Sequence, residues 1–213
     1  MNTQSHLLLG AALFARREVP GTGIAAVAGS LAPDLPLYAL FVIARMGGVS
    51  NSQFFREMYW QEPVPSVMGA SHSFVVWGVL LAIGVLWRRR QEGPGFLAGW
   101  GAPHKARFGQ MLAIFSLAAL VHALSDFLLH HDDAHMQFWP LSRWLFRSPL
   151  SYWDPSHYGN YWGLVEAALG IACAVVIWRR YPRLWVRALC AIAIAMYVAV
   201  PVYFVTSIAD HAM

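Results

Sequence analysis

From Phe108 to Leu129 the chain carries Asp126 as its only charged residue, and the run His122, Asp126, His130, His131, Asp132, Asp133, His135 grows directly out of that stretch. A helix rising about 1.5 Å per residue needs an apolar run of this length to cross a bilayer, so the segment reads as a membrane-spanning helix with metal-ligand chemistry at one end. At a turn of about 100° per residue, His122, Asp126 and His130 fall within a sector of about 80°, which puts two imidazoles and a carboxylate on one face. An ionisable residue inside the hydrocarbon layer is expensive unless it is paired, bound to metal or facing a wet cavity, so His122 and Asp126 are read as a functional site. For His130 to His135 a solvated polar cap is the competing reading.

Four further segments have similar character: Gly21 to Ile43, His72 to Trp87, Trp162 to Trp178 and Leu184 to Ile208, of which His72 to Trp87 and Trp162 to Trp178 fall slightly short. With 58% hydrophobic and 12% charged residues, the 213-residue chain has too few charges to cover the surface of a soluble domain. The fold class is therefore all-α: a polytopic membrane helical bundle of about five transmembrane helices plus a short N-terminal helix. That short helix, His6 to Ala15, is about half a span and is expected to be interfacial or re-entrant. Arg16 and Arg17 follow the apolar run instead of preceding it, the wrong order for a signal peptide, so the segment is expected to be retained.

The formal charge of +4 needs no nucleic acid to explain it. Arg88, Arg89, Arg90, Lys105 and Arg107 occupy one connection, Arg179, Arg180, Arg183 and Arg187 another, and with Arg16 and Arg17 they mark the cytoplasmic side. Gly47 to Ser71, His130 to Tyr161 and the C-terminus then face outward. Cys173 and Cys190 fall inside predicted spans and read as small core residues, not a disulfide. Without a linker or repeat, residues 1–213 read as a single integral membrane domain with an outer aromatic and His-rich loop at 130–161. Trp139, Trp144, Tyr152, Trp153, Tyr158 and Tyr161 in that loop suit the headgroup level, where the loop should lie along the membrane.

Asp34 stands in Pro33-Asp34-Leu35-Pro36 within the first span. Proline lacks the amide donor and disfavours a helical residue before it, so the helix should break near Asp34. Broken backbone at membrane depth requires protein or a watery cavity to satisfy it, which makes Asp34 a candidate metal ligand or general base; capping the second half-helix is its simpler role. Ser71-His72-Ser73 opens the second span on the outer side, level with His122 and Asp126, so His72, Asp34, His122 and Asp126 can meet in one layer under the outer headgroups. His6 joins them if its helix tucks under the outer loop. Imidazole and carboxylate without thiolate suit a divalent metal, zinc first, with manganese or iron as alternatives. Such a centre creates a hydroxide nucleophile, so hydrolysis is the natural reaction class, with a spare carboxylate, Asp34 or Asp126, as base or as a partner orienting an imidazole. Glu166, expected to pair with Arg143 or Arg147, and Asp210 with His211 are secondary candidates; His104 and His157 read as solvated or interfacial.

These pieces resemble the LexA-regulated, membrane-bound metal-dependent hydrolases, the YdjM-like family. The resemblance runs from the N-terminus to about Pro155, through Ser5-His6-Leu7-Leu8, Pro33-Asp34, Ser71-His72-Ser73, His122-Ala123-Leu124-Ser125-Asp126 and Trp139-Pro140 followed by Trp144-Leu145-Phe146-Arg147. It implies a polytopic helical membrane protein with presumed metal-dependent hydrolase activity. Two departures accompany it: Pro36 stands where the family tends to have a second aspartate, and Val67-Met68-Gly69 where it has a His-Arg pair. The run from His130 to His135 is, conversely, richer than the family pattern. Either the site is rebuilt around the outer loop, or the metal is kept for structure.

The resulting expectation is a multi-pass protein of the bacterial inner membrane with its site facing the periplasm and an amphiphilic, lipid or lipid-linked substrate, possible as a homo-oligomer. His6, His72, His122 and Asp126 would bind metal, Asp34 would bind metal or act as base, and His130 and Asp133 would position water or substrate. The alternative is a non-enzymatic protein using the same cluster for metal binding, sensing or partner assembly. A transporter is disfavoured by five spans without a paired repeat.

Overall fold

Apolar runs broken by proline, glycine and clustered arginines dictate where the helices start and stop. The computed structural model describes residues 1–92 and 108–211, with 91–92 and 203–211 as backbone only. Among the described residues the regular structure is helical: α1 (Thr3–Phe14), α2 (Thr22–Leu31), α3 (Leu35–Met46), α4 (Asn51–Arg56), α5 (Val64–Ser71), α6 (Phe74–Glu92), α7 (Phe108–Leu129), α8 (Gly159–Arg180) and α9 (Leu184–His211), with short 3-10 turns at Met58–Trp60 and Pro155–His157. His104, Lys105 and Arg107 lie outside the described residues, as do the side chains of Asp210 and His211.

Among the described residues four stretches are long and apolar enough to cross a membrane: Val64–Arg90, Phe108–Leu129, Gly159–Arg180 and Leu184–Val202; α2 and α3, bent by 56° at their break, make a fifth when taken together. The break falls at Ala32–Asp34, where the two prolines required it. The boundaries shift in one instructive way. The second span does not open at His72: α5 precedes it, His72 terminates α5, and Ser73 caps α6 by accepting from the amides of Val75 and Val76 at 3.1 and 3.2 Å. The connection before it is also helical in part, through α4 and α5.

Helix α7 is the hub, packed on α6, α2 and α1, while α1 joins this group to α8 and α9. Instead of lying on an interface, α1 is wedged into the bundle with Ser5, His6 and Gly10 buried. Its C-terminal end meets the basic end of α8, where Arg180 donates through Nη1 to the carbonyls of Ala15 at 2.6 Å and Ala11 at 3.4 Å. Two small apolar clusters result: Ala25, Ala26 and Ile114 between α2 and α7, and Ala174, Ile177 and Cys190 between α8 and α9, the latter capped by Leu8, Ala11 and Ala12 of α1. Cys173 and Cys190 are buried free thiols.

Close helix contact depends on small residues, because lipid tails offer no hydrophobic contrast to drive association and van der Waals fit has to do it. A Cβ at Gly29 would lie 2.1 Å from the Phe115 carbonyl oxygen, and one at Gly84 would lie 2.7 Å from the Ala113 amide nitrogen. These contacts set α2 and α6 against α7. We expect Gly29→Ala to lower stability by about 1–3 kcal/mol through overpacking, whereas Gly78→Ala, with nothing within 4 Å of its Cβ, is neutral. Thermal unfolding of both variants in the same detergent checks this, and equal melting temperatures would show that the α2–α7 contact is not tight.

Candidate metal centre

Breaking the first span at Pro33 leaves carbonyls at the end of α2 without helical partners. The Asp34 amide bonds the Leu31 carbonyl at 3.1 Å and leaves that of Ser30, which accepts instead from Nδ1 of His122 at 2.7 Å. His72 is held the same way, its Nδ1 donating to the Met68 carbonyl at 3.0 Å in the last turn of α5. A carbonyl can only accept, so Nδ1 carries the proton in both rings and Nε2 points inward. Backbone anchoring of one imidazole nitrogen is the usual support of a metal-ligating histidine.

The two Nε2 atoms converge on carboxylates. His122 Nε2 lies 2.9 Å from Asp126 Oδ2 and 3.5 Å from Asp34 Oδ1; His72 Nε2 lies 3.4 Å and 3.8 Å from the same two oxygens. Among the described residues neither Nε2 has a hydrogen-bond partner. A ring whose proton sits on Nδ1 presents a lone pair to a carboxylate lone pair at this range, and only a cation between them, a second proton or a metal ion, makes the contact favourable. Ligands about 2.0–2.2 Å from a tetrahedral ion stand roughly 3.3–3.6 Å apart; the 3.4 and 3.5 Å separations fall in that range, and those of 2.9 and 3.8 Å lie on either side of it. Asp34, His72, His122 and Asp126 form a group that could hold a metal ion, and all but Asp34 are fully buried.

Around this group the structure places the other residues singled out from sequence. His6 stacks on His122 with ring centroids 3.6 Å apart and puts Nε2 3.0 Å from Asp126 Oδ1, so α1 does tuck its N-terminus into the cluster. The Met1 ammonium reaches the same oxygen at 2.8 Å. Asp34 occupies the N-cap position of α3, but its side chain makes no capping bond there and accepts from Thr3 Oγ1 at 2.5 Å. His130 continues the face of α7, with Nε2 3.3 Å from Asp126 Oδ1 and Nδ1 3.1 Å from Asp133 Oδ2. Burial disfavours its charge, but Asp126 and Asp133 outweigh this and raise its pKa to about 9. The solvated-cap reading therefore fails for His130 and holds in part for His131 and Asp132, the latter mostly exposed.

Other expectations need correcting. Glu166 does not pair with Arg143 or Arg147; buried on α8, it accepts from the Asn2 amide at 2.8 Å and from Ser5 Oγ at 2.5 Å, and so fixes the start of α1. His157 pairs with Asp154 at 2.7 Å and stacks on His131, apart from the main cluster. The outer loop folds over the helix ends: Ser148 and Tyr152 amides bond the carbonyls of His130 and Leu129, and the Phe74 amide bonds that of Gln137, each within 2.8–3.0 Å.

Two features escaped the sequence reading. His135 is buried with its ring centroid 4.1 Å from that of His72, and burial, reinforced by His72 and His130, keeps its pKa well below the usual histidine value, so it is a neutral imidazole. Its place in the His130–His135 run was the available signal. The second is a cavity of about 520 Å³ beside the cluster, reaching Asp34, Asp126 and His130, with Tyr38, Phe55, Tyr59, Trp60, Tyr152 and Trp153 on its walls. Burial and the charges of Asp133 and Asp126 push the phenols of Tyr59 and Tyr152 above the usual tyrosine pKa, which keeps them neutral. The aromatics of 55–60 were visible in the sequence, but nothing there placed them over the site.

A family model described as YdjM inner membrane protein matches residues 1–207. The chain belongs to that family. The match extends well past Pro155, so it takes in α8 and most of α9 as well as the cluster. The family's description agrees with the apolar helices of span length in placing such proteins in the inner membrane. No curated protein and no solved structure matches the chain.

Because Glu166 ties α1 down, Glu166→Ala should leave the Asn2 amide and Ser5 hydroxyl without their acceptor and cost about 1–3 kcal/mol. Glu166→Gln, which keeps an acceptor, should recover most of this. Chemical or thermal unfolding in detergent distinguishes the two, and equal loss in both would mean that charge, not hydrogen bonding, holds the segment.

Proposed function

We propose that the chain is a membrane-embedded metal-dependent hydrolase acting on an amphiphilic, lipid or lipid-linked substrate near the periplasmic leaflet. The observation that carries this reading is the convergence of the His72 and His122 lone pairs on the Asp34 and Asp126 carboxylates in one buried group. That donor set suits zinc first, with manganese or iron as alternatives. Bound there, a divalent cation supplies Lewis acidity and a water acidified to a pKa near 7.

The residues divide the work by position. His72, His122 and Asp126 hold the metal, their rings fixed by the Met68 and Ser30 carbonyls. Asp34 borders the cavity and keeps Oδ1 toward the cluster while Thr3 occupies Oδ2, so it serves as fourth ligand or as the base that takes a proton from water. His6 braces the His122 ring and stands within ligand range of Asp126. His130, held by Asp133, positions water or substrate at the cavity side. The aromatic walls suit an acyl or polyprenyl chain beside a polar head. Arg16, Arg17 and the arginines ending α6 and α8 lie at the opposite end of the helices from the cluster, which by the positive-inside rule supports an outward-facing site.

A protein that binds metal only for sensing or partner assembly needs no cavity beside its ligands. Joint measurement of metal and activity decides between the two readings. Wild-type protein purified in detergent should retain metal that His122→Ala and Asp126→Asn lose, and should hydrolyse at least one member of a panel of lipid phosphoesters and lipid-linked amides. Trp60→Ala, which removes only cavity wall, should keep the metal and raise KM roughly tenfold, about 1.4 kcal/mol of lost contact. Metal bound without turnover of any panel member would favour the non-enzymatic reading.

A further inference from the structure

Asp126 divides its two oxygens between two sets of imidazoles. Oδ2 faces His122 and His72, the group completed by Asp34, whereas Oδ1 faces His6 at 3.0 Å and His130 at 3.3 Å. His135 joins Asp126 and His130: one ligand atom of each of the three lies within 4.8 Å of the others, and all three residues are more than nine-tenths buried. Neither ring nitrogen of His130 has a hydrogen-bond partner among the described residues, and Nδ1 lies within ion-pair distance of Asp133 at 3.1 Å. A buried imidazole nitrogen aimed at a carboxylate oxygen, with a second buried imidazole within ligand distance of both, is a donor set that a cation would complete.

We infer that Asp126, His130 and His135 form a second divalent-cation position, and that the Asp126 carboxylate bridges it to the first. This rests on the metal-dependent reading above and deepens it. The ammonium of Met1, 2.8 Å from Oδ1, shows that oxygen already paired with a cation, and the ion takes its place. The two positions are not equivalent. His130, Asp133 and His135 line the cavity, so the second ion is the one open to water and substrate. Two ions sharing a carboxylate can clamp both the attacking and the leaving oxygen of a displacement, which makes a phosphoester the substrate class this arrangement serves best.

The test counts metal. Full-length protein in detergent, loaded with zinc and freed of excess, should carry two ions per chain by elemental mass spectrometry. His130→Ala and His135→Ala should each carry one, and Asp126→Asn none. Loaded with manganese, the wild type should give the electron paramagnetic resonance signal of a coupled ion pair and His135→Ala that of an isolated ion. If His135→Ala does not fold, His135→Gln, which preserves a polar side chain in the same space, should show the same loss. One ion in the wild type, kept by His130→Ala and His135→Ala but lost by His122→Ala, overturns the second position and leaves the hydrolase reading standing. A wild type that binds no ion overturns both.

Discussion

One buried carboxylate organises this protein. Asp126 is 2% exposed on a helix of membrane-spanning length, where an unpaired charge would be very costly. Four imidazoles and the Met1 ammonium therefore surround it, drawn from α1, the α5–α6 junction, α7 and the start of the outer loop. Each of those elements is placed where it can deliver a partner. Cation pairing at one point thus accounts for the tucked N-terminus and for the inward turn of the His72 junction.

The interruption shows how backbone chemistry becomes site chemistry. Pro33 cannot donate an amide, the helix ends, and the Asp34 amide bonds the Leu31 carbonyl, which leaves that of Ser30 to orient His122. Gly29, next to it, lets α2 approach the backbone of α7 closely enough for that bond to form. At the other anchor, the Met68 carbonyl serves His72 because α5 stops at Ser71. Helix ends, which leave carbonyls unpaired, have here been used to aim rings.

Two departures from the family pattern acquire a place in the structure. Pro36 lies in the first turn of α3, where a missing amide costs nothing. In Val67-Met68-Gly69, Met68 lines the cavity and a Cβ at Gly69 would meet Met136 at 3.0 Å, so the outer loop packs where a larger side chain would stand. That loop brings His135 against His72.

Much of the architecture was legible in the chain itself, because span length, proline breaks and arginine clusters act locally: the bent first span, the helix ends and the shared face of His122, Asp126 and His130 all follow from neighbouring residues. The meeting of Asp34, His72 and His122 was foreseeable as a matter of common depth, though not of distance. What required the tertiary structure were facts set by contact between remote segments: Glu166 bonding the start of α1, His135 against His72, and Phe55, Tyr59 and Trp60 walling a cavity. Periodicity tells which side of a helix is polar, but which partner that side meets depends on how closely the helices pack, and this is decided by side-chain volume at crossings such as Gly29 on Phe115.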